Sequence, residues 1–285
     1  MVINFTPTGM IPTKKLIPHI PTAVNEIIED VHCAYEQGIT MVHLHARDEQ
    51  TGKPTWKADV YAKLIGGIRR FAPQMVICVS LSGRDWPEFE KRTEVLELDG
   101  SLKPDMGSLT LSSLNFSRSA SLNAPDMVMA LAQHMQEKGI VPELEVFDLG
   151  MVNYIRYLEN KGIIQPPHYC NIILGNVASA QADLLHVAAL IRDLPSNTLW
   201  SLGGIGDSQL PATAVAVAMG GGVRIGLEDN IWLDKKRTIL ARNSDLVQRI
   251  HALARLHERS VMLPDTLRQK LNLQDGLTGY GRAAA

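Results

Sequence analysis

His43-Leu44-His45 sets two imidazoles two residues apart, and in a strand that spacing sends both to one face, about 7 Å apart at the backbone. Two such rings can converge on one metal ion, although an isolated pair can equally be hydrogen-bonded core histidines. The segment Arg224-Ile225-Gly226-Leu227-Glu228-Asp229-Asn230 offers Glu228 as a third ligand. Two neutral imidazoles and one carboxylate leave a position open on Zn²⁺, as a catalytic zinc requires if it is to polarise a substrate oxygen. Without a metal, Glu228 and Asp229 would be loop carboxylates capping a helix or pairing with Arg224. Glu143 and Glu145 also share one strand face, and a carboxylate turned inward is costly unless paired, protonated or used. Glu145 is the candidate for acid–base chemistry, and Glu143 for a salt bridge at the strand's lower end.

These residues need a scaffold that brings distant segments together. Short β-branched or apolar runs predict eight strands: Val2–Thr6, Thr40–His45, Val76–Ser80, Met106–Thr110, Leu144–Phe147, Asn171–Leu174, Leu199–Leu202 and Val223–Gly226. Helical periodicity is expected at Ala23–Gln37, Ala58–Phe71, Trp86–Glu97, Pro125–Lys138, Met151–Lys161, Ala180–Arg192 and Pro211–Met219, with a last block over Lys235–Arg259. Gly38 and Gly139 suit the left-handed position that ends a helix, Asn123 suits a cap before Pro125, and Leu184, Leu185, Val187, Ala188 and Ile191 form a core-facing stripe. Eight βα units in one chain predict a single (β/α)₈ TIM barrel over residues 1–285, with an extra C-terminal helical segment in which 264–285 is an appendage that can be flexible. Thr6-Pro7-Thr8-Gly9-Met10 is not the phosphate fingerprint that an open doubly wound sheet would need.

A barrel places chemistry at the C-terminal ends of its strands, where His43, His45, Glu145, Glu228 and Asp229 all fall. Ser80-Leu81-Ser82-Gly83 and Gly107-Ser108-Leu109-Thr110 add hydroxyls and flexible backbone there, though serines at strand ends are also common turn formers. Gly203-Gly204-Ile205-Gly206 is either a phosphate-binding loop or a tight βα turn. Lys235-Lys236-Arg237 is expected to open a helix as a solvated face or an anion contact.

Composition narrows the class of partner. With 28 Lys plus Arg against 30 Asp plus Glu, the chain has no excess positive field to draw a nucleic acid. Three widely separated cysteines fit neither a disulfide framework nor a CxxC metal site, which favours a cytoplasmic location. No run of apolar residues reaches the length of a membrane span, so membrane insertion is not expected.

Taken together, HLHARD after strand two, PDMGSLTLSSLNF at strand four, PELEVFDLGMV at strand five and VRIGLEDNI at strand eight resemble the β-keto acid cleavage enzymes, from the first strand to about Asn272. The resemblance implies a TIM barrel holding Zn²⁺ on His43, His45 and Glu228. It implies substrate binding at Ser80, Gly83 and Ser108, the last commonly threonine in the family, and catalysis by Glu145, Arg224 and Asp229. The implied reaction joins a β-keto acid with acetyl-CoA to give acetoacetate and a new acyl-CoA, in a homotetramer. Thr8-Gly9-Met10-Ile11 departs from the aminohexanoate enzymes, which carry a glutamate where Ile11 stands to pair with the substrate's ammonium. A neutral, apolar or anionic tail is therefore expected, since a buried cation without a partner is costly. Other metal-dependent barrel hydrolases or aldolases, and a non-catalytic barrel, share parts of this pattern.

Overall fold

Gly38 ends helix α1 (Val24–Gln37) at a φ of +92°, donating its N–H to Tyr35 O, and strand β2 (Met41–Leu44) begins three residues later. Gly139 plays the same part after α4 (Pro125–Glu137) at a φ of +64°, which leads into β5 (Val141–Val146). This punctuation recurs along the chain, and the strands β1 (Ile3–Phe5), β2, β3 (Val76–Val79), β4 (Met106–Thr110), β5, β6 (His168–Leu174), β7 (Thr198–Gly204) and β8 (Gly222–Ile225) close into a barrel. Every neighbouring pair is parallel, and β8 returns to β1 with Asn4 opposite Arg224. The computed structural model describes residues 1–283, and its architecture is the expected TIM barrel. The remaining helices are α2 (Ala58–Arg69), α3 (Phe89–Thr93), α5 (Leu149–Asn160), α6 (Leu184–Asp193), α7 (Gln209–Ala218), α8 (Asn243–Leu256) and α9 (Pro264–Lys270). A small hairpin, Leu114–Asn115 against Ala120–Ser121, rises above β4. No helix among the described residues is long and apolar enough to cross a membrane.

Several local expectations are corrected. The helix expected from Trp86 to Glu97 is only the five residues of α3 followed by a 3₁₀ turn, because Pro87 holds the residue before it out of helical geometry. Asn123 does not cap α4; its side-chain oxygen accepts from Arg92 Nη2 at 2.9 Å. On α6, Leu184 and Leu185 point outward, 73% and 83% exposed, because Asp183 caps the helix just before them; Val187 and Leu190 are buried in the core and Ile191 packs against it as expected. Lys235-Lys236-Arg237 lies in the loop before α8 and opens no helix.

The stretch expected as an appendage forms the floor of the barrel. Leu267, Leu271 and Leu273 pack against Val2, Met41, Val76 and Met106 at the N-terminal strand ends. Buried Arg268 grips Asp105 with two hydrogen bonds of 2.9 and 2.8 Å and donates to Gln74 O, Met75 O and Gln274 O. Residues 284–285 of the expected flexible tail lie outside the described residues. Arg268→Ala leaves the fully buried Asp105 with only Arg69, 3.4 Å away, as a charge partner. Its expected cost is about 3–5 kcal/mol in urea unfolding, and a loss below about 1 kcal/mol would show that the floor is not stapled there.

Candidate active site

β2 ends one residue before His45, and its alternation turns both imidazoles inward with ring centroids 5.2 Å apart. Nδ1 of fully buried His43 lies 2.5 Å from Glu143 Oε2. Burial pushes the Glu143 carboxyl up, but His43 and Arg224 outweigh this and hold it below the usual range, so it is ionised and can only accept. The tautomer assigned by that contact carries its proton on Nδ1 and leaves Nε2 free to ligate. Glu143 also accepts from Asn4 Nδ2 at 2.5 Å, Asn171 Nδ2 at 3.2 Å and the Cys78 thiol at 3.2 Å. His43, Cys78 and Glu143 are close enough together to suggest a metal site of their own. His43 Nδ1 and the Cys78 thiol are both already engaged on Glu143 Oε2, however, so the group forms a hydrogen-bond network holding His43, and burial and Glu143 push the thiol up.

The set formed by His43, His45 and Glu228 differs. Its ligand atoms lie within 4.8 Å of one another, with His45 Nε2 3.1 Å from Glu228 Oε1. Glu228 Oε1 is also ion-paired with Arg224 Nη2 at 2.6 Å, whereas Oε2 is buried without a hydrogen-bond partner. An ionised oxygen left over beside two imidazoles is what a divalent cation satisfies, so the donor set fits zinc. Gly9 is required here: a Cβ on it would stand 2.2 Å from Glu228 Cγ, so only glycine lets the loop after β1 pass.

Arg224 organises the remaining carboxylates. Its Nε donates to Asp229 Oδ2 at 2.8 Å, and Nη1 faces Glu145 Oε1 at 3.8 Å. It is 2% exposed and stays charged despite burial because Asp229, Glu228 and Glu145 surround it. Burial raises the carboxyls of Asp229 and Glu145 above their ordinary values, with Arg224 opposing the shift. In Glu228 burial acts in the same direction, but Arg224 and the imidazoles overcome it and pull the carboxyl far down. Glu145 Oε2 accepts from Thr110 Oγ1 at 2.6 Å.

These groups line a cavity of about 560 Å³ at the C-terminal mouth of the barrel, where His45, Ser80, Thr110, Glu145, Arg224, Glu228 and Asp229 meet. Gly83 and Ser108 stand behind the wall. Ser108 Oγ accepts from Leu81 N at 3.0 Å, and a Cβ on Gly83 would meet Arg92 Nη1 at 2.7 Å and Leu122 O at 2.8 Å. Both shape the loop that carries Ser80 and Ser82 to the cavity. Thr110 was absent from the sequence-derived site; the signal available was its place two residues beyond Ser108 on the same strand face, and the structure adds that it pairs in register with Glu145. The glycine cluster ends β7 and makes the tight turn after it, with Gly204 packed on Ser208 and Gly206 N donating to Asp229 O. Arg237 reaches the cavity rim and pairs with Asp207.

A closed parallel barrel with ionisable groups gathered at this mouth has the organisation of the TIM-barrel enzymes. Comparison specifies the kind: the chain belongs to the beta-keto acid cleavage enzyme family, whose profile matches residues 1–273. It is 33% identical over 277 residues to the 3-keto-5-aminohexanoate cleavage enzyme of Fusobacterium nucleatum, covering 96% of this chain and 98% of that one. It is 34% identical over 276 residues to the 3-oxoadipate:acetyl-CoA acetyltransferase of Cupriavidus necator, covering 95% and 94%. Among solved structures, ObcA in a ternary complex with C4-CoA adduct and oxalate superposes with a TM-score of 0.77 at 18% identity, over 90% of this chain and 68% of that one. That likeness concerns the fold alone.

Proposed function

We propose that this protein is a zinc-dependent β-keto acid cleavage enzyme that exchanges acyl groups with acetyl-CoA, yielding acetoacetate and a new acyl-CoA. The observation that carries the reading is the meeting of His45 and Glu228 with an Arg224-held pair, Asp229 and Glu145, in one cavity, with a ring nitrogen of buried His43 within 4.8 Å of the other two ligand atoms. Zinc held by His43, His45 and Glu228 would supply Lewis acidity to a substrate oxygen.

The chain's own residues do the rest. Ser80 presents its hydroxyl to the substrate carboxylate, in a loop whose course Gly83 and Ser108 fix. Asp229 accepts the proton from the carbon between the keto and carboxylate groups, through the oxygen that Arg224 does not engage. Burial makes Asp229 more basic than an exposed aspartate, and Arg224 fixes its direction. Glu145, with Oε2 held by Thr110, handles the second proton transfer through Oε1. Buried Arg224 keeps these carboxylates apart in direction and together in charge.

The test is a coupled assay with zinc-loaded protein, acetyl-CoA and a panel of β-keto acids with cationic, neutral and anionic tails. Acetoacetate and the new acyl-CoA should form in equal amounts. Consumption of the keto acid in the absence of acetyl-CoA would overturn the proposal in favour of a hydrolase or aldolase.

A further inference from the structure

Of the four arginines that line the cavity, Arg84, Arg118 and Arg237 have no task in the steps above; Arg118 is exposed and Arg237 pairs with Asp207, which leaves Arg84. Arg84 follows the Ser80–Gly83 loop and lines the cavity, where its guanidinium lies over the Phe116 ring at 3.7 Å from the centroid. Phe116 is held in place: Phe147 packs against it edge-on at 5.9 Å, and its backbone N–H closes the small hairpin on Ser119 O. Among the described residues no carboxylate stands within ion-pair reach of Arg84 and no group accepts from its guanidinium, and its Nε is buried without a partner. Stacking occupies the face of a guanidinium and leaves its edge free, and that edge matches a carboxylate in geometry and charge. Ile11, which also lines the cavity, offers a cationic tail nothing to pair with.

Resting on the reading proposed above, we infer that Arg84 receives a carboxylate at the far end of the substrate, so that the preferred substrates are 3-ketodicarboxylic acids. The phosphates of CoA are a poorer match. Arg84 shares one cavity with Glu228, Glu145 and Asp229, whereas the pantetheine arm holds the phosphates a full arm's length from the reacting thioester. Recognition of the carboxylate next to the keto group is the other rival, and it predicts a different pattern of losses.

The test compares wild type with Arg84→Met and Arg84→Lys on 3-keto acids of equal chain length ending in a carboxylate, its methyl ester or a trimethylammonium group. Wild type should favour the dicarboxylate over the ester by about 10- to 100-fold in kcat/KM. In Arg84→Met that ratio should collapse towards one, mainly through KM, and Arg84→Lys should restore part of it. Equal losses on all three substrates would overturn the assignment in favour of the keto-acid carboxylate. A selective rise in the KM for acetyl-CoA would overturn it in favour of a phosphate, and an unchanged ratio would remove Arg84 from recognition altogether. Calorimetry of the dicarboxylate with the zinc-loaded proteins separates the two proposals. If no acid supports acyl exchange, binding that Arg84→Met abolishes would uphold the tail site while the reaction class falls.

Discussion

Replacing Glu228 or His45 by alanine is expected to lower acyl exchange on the order of 10³-fold or more and to leave the purified protein with well under one zinc per chain. On the proposed reading each residue would supply one of three protein ligands, and the Lewis acidity of a zinc held there would be worth several kcal/mol of transition-state charge stabilisation. The leftover oxygen of Glu228 has a second consequence. In wild type the metal should raise the melting temperature by binding the folded chain alone, and this increment should disappear in Glu228→Ala. Metal analysis after dialysis, thermal unfolding with and without zinc, and the coupled assay give three independent readings. Activity within tenfold of wild type at full metal occupancy would remove Glu228 from the ligand set.

Arg224→Met is the second large effect, and it reaches stability as well as catalysis. The guanidinium is fully enclosed and sits against Glu228, Asp229 and Glu145, so removing it strands several buried carboxylates at once. The expected loss is at least about 3–5 kcal/mol in urea unfolding. Arg224→Lys should recover little, because one ammonium cannot reproduce a fork that reaches three carboxylates. The loss also depends on pH. Burial already raises Asp229 and Glu145, and without Arg224 their folded-state values rise further above the unfolded values of about 4. A carboxyl raised in this way weakens the fold wherever the unfolded chain ionises it and the folded chain does not, so the penalty grows as pH climbs above about 4. Urea midpoints at pH 5 and pH 8 should show the smaller deficit at pH 5; the reverse order would mean that Arg224 does not compensate these carboxylates.

The barrel was legible in the sequence because its strands are short apolar runs separated by helical periods, and Gly38 and Gly139 mark the junctions in residues that only a left-handed turn requires. The pairing of His43 with His45 was legible for the same reason, since strand alternation is fixed by backbone geometry. Register across strands was not. Only the pairing of β4 with β5 reveals that Thr110 stands level with Glu145 while Ser108 stands level with Glu143, one layer deeper. Glu143 illustrates the same limit: its partners Asn4, Cys78 and Asn171 come from three other strands, and no local spacing joins them. The outward turn of Leu184 and Leu185 was missed because hydrophobic period gives the face of a helix but not the residue at which it starts, which Asp183 decides.

The floor of the barrel has a bearing on how the protein is made. Ribosomes deliver β1 first, yet its partner β8 arrives more than 200 residues later, and Arg268 later still. Until then Asp105 belongs to a sheet with open edges and an uncovered lower end. Closure and sealing are therefore late events in synthesis, and a nascent chain halted before α9 would carry an exposed apolar ring of Val2, Met41, Val76 and Met106 of the kind that chaperones and proteases engage. The last helix thus completes the cover of that ring, and a chain without it leaves the ring open to solvent.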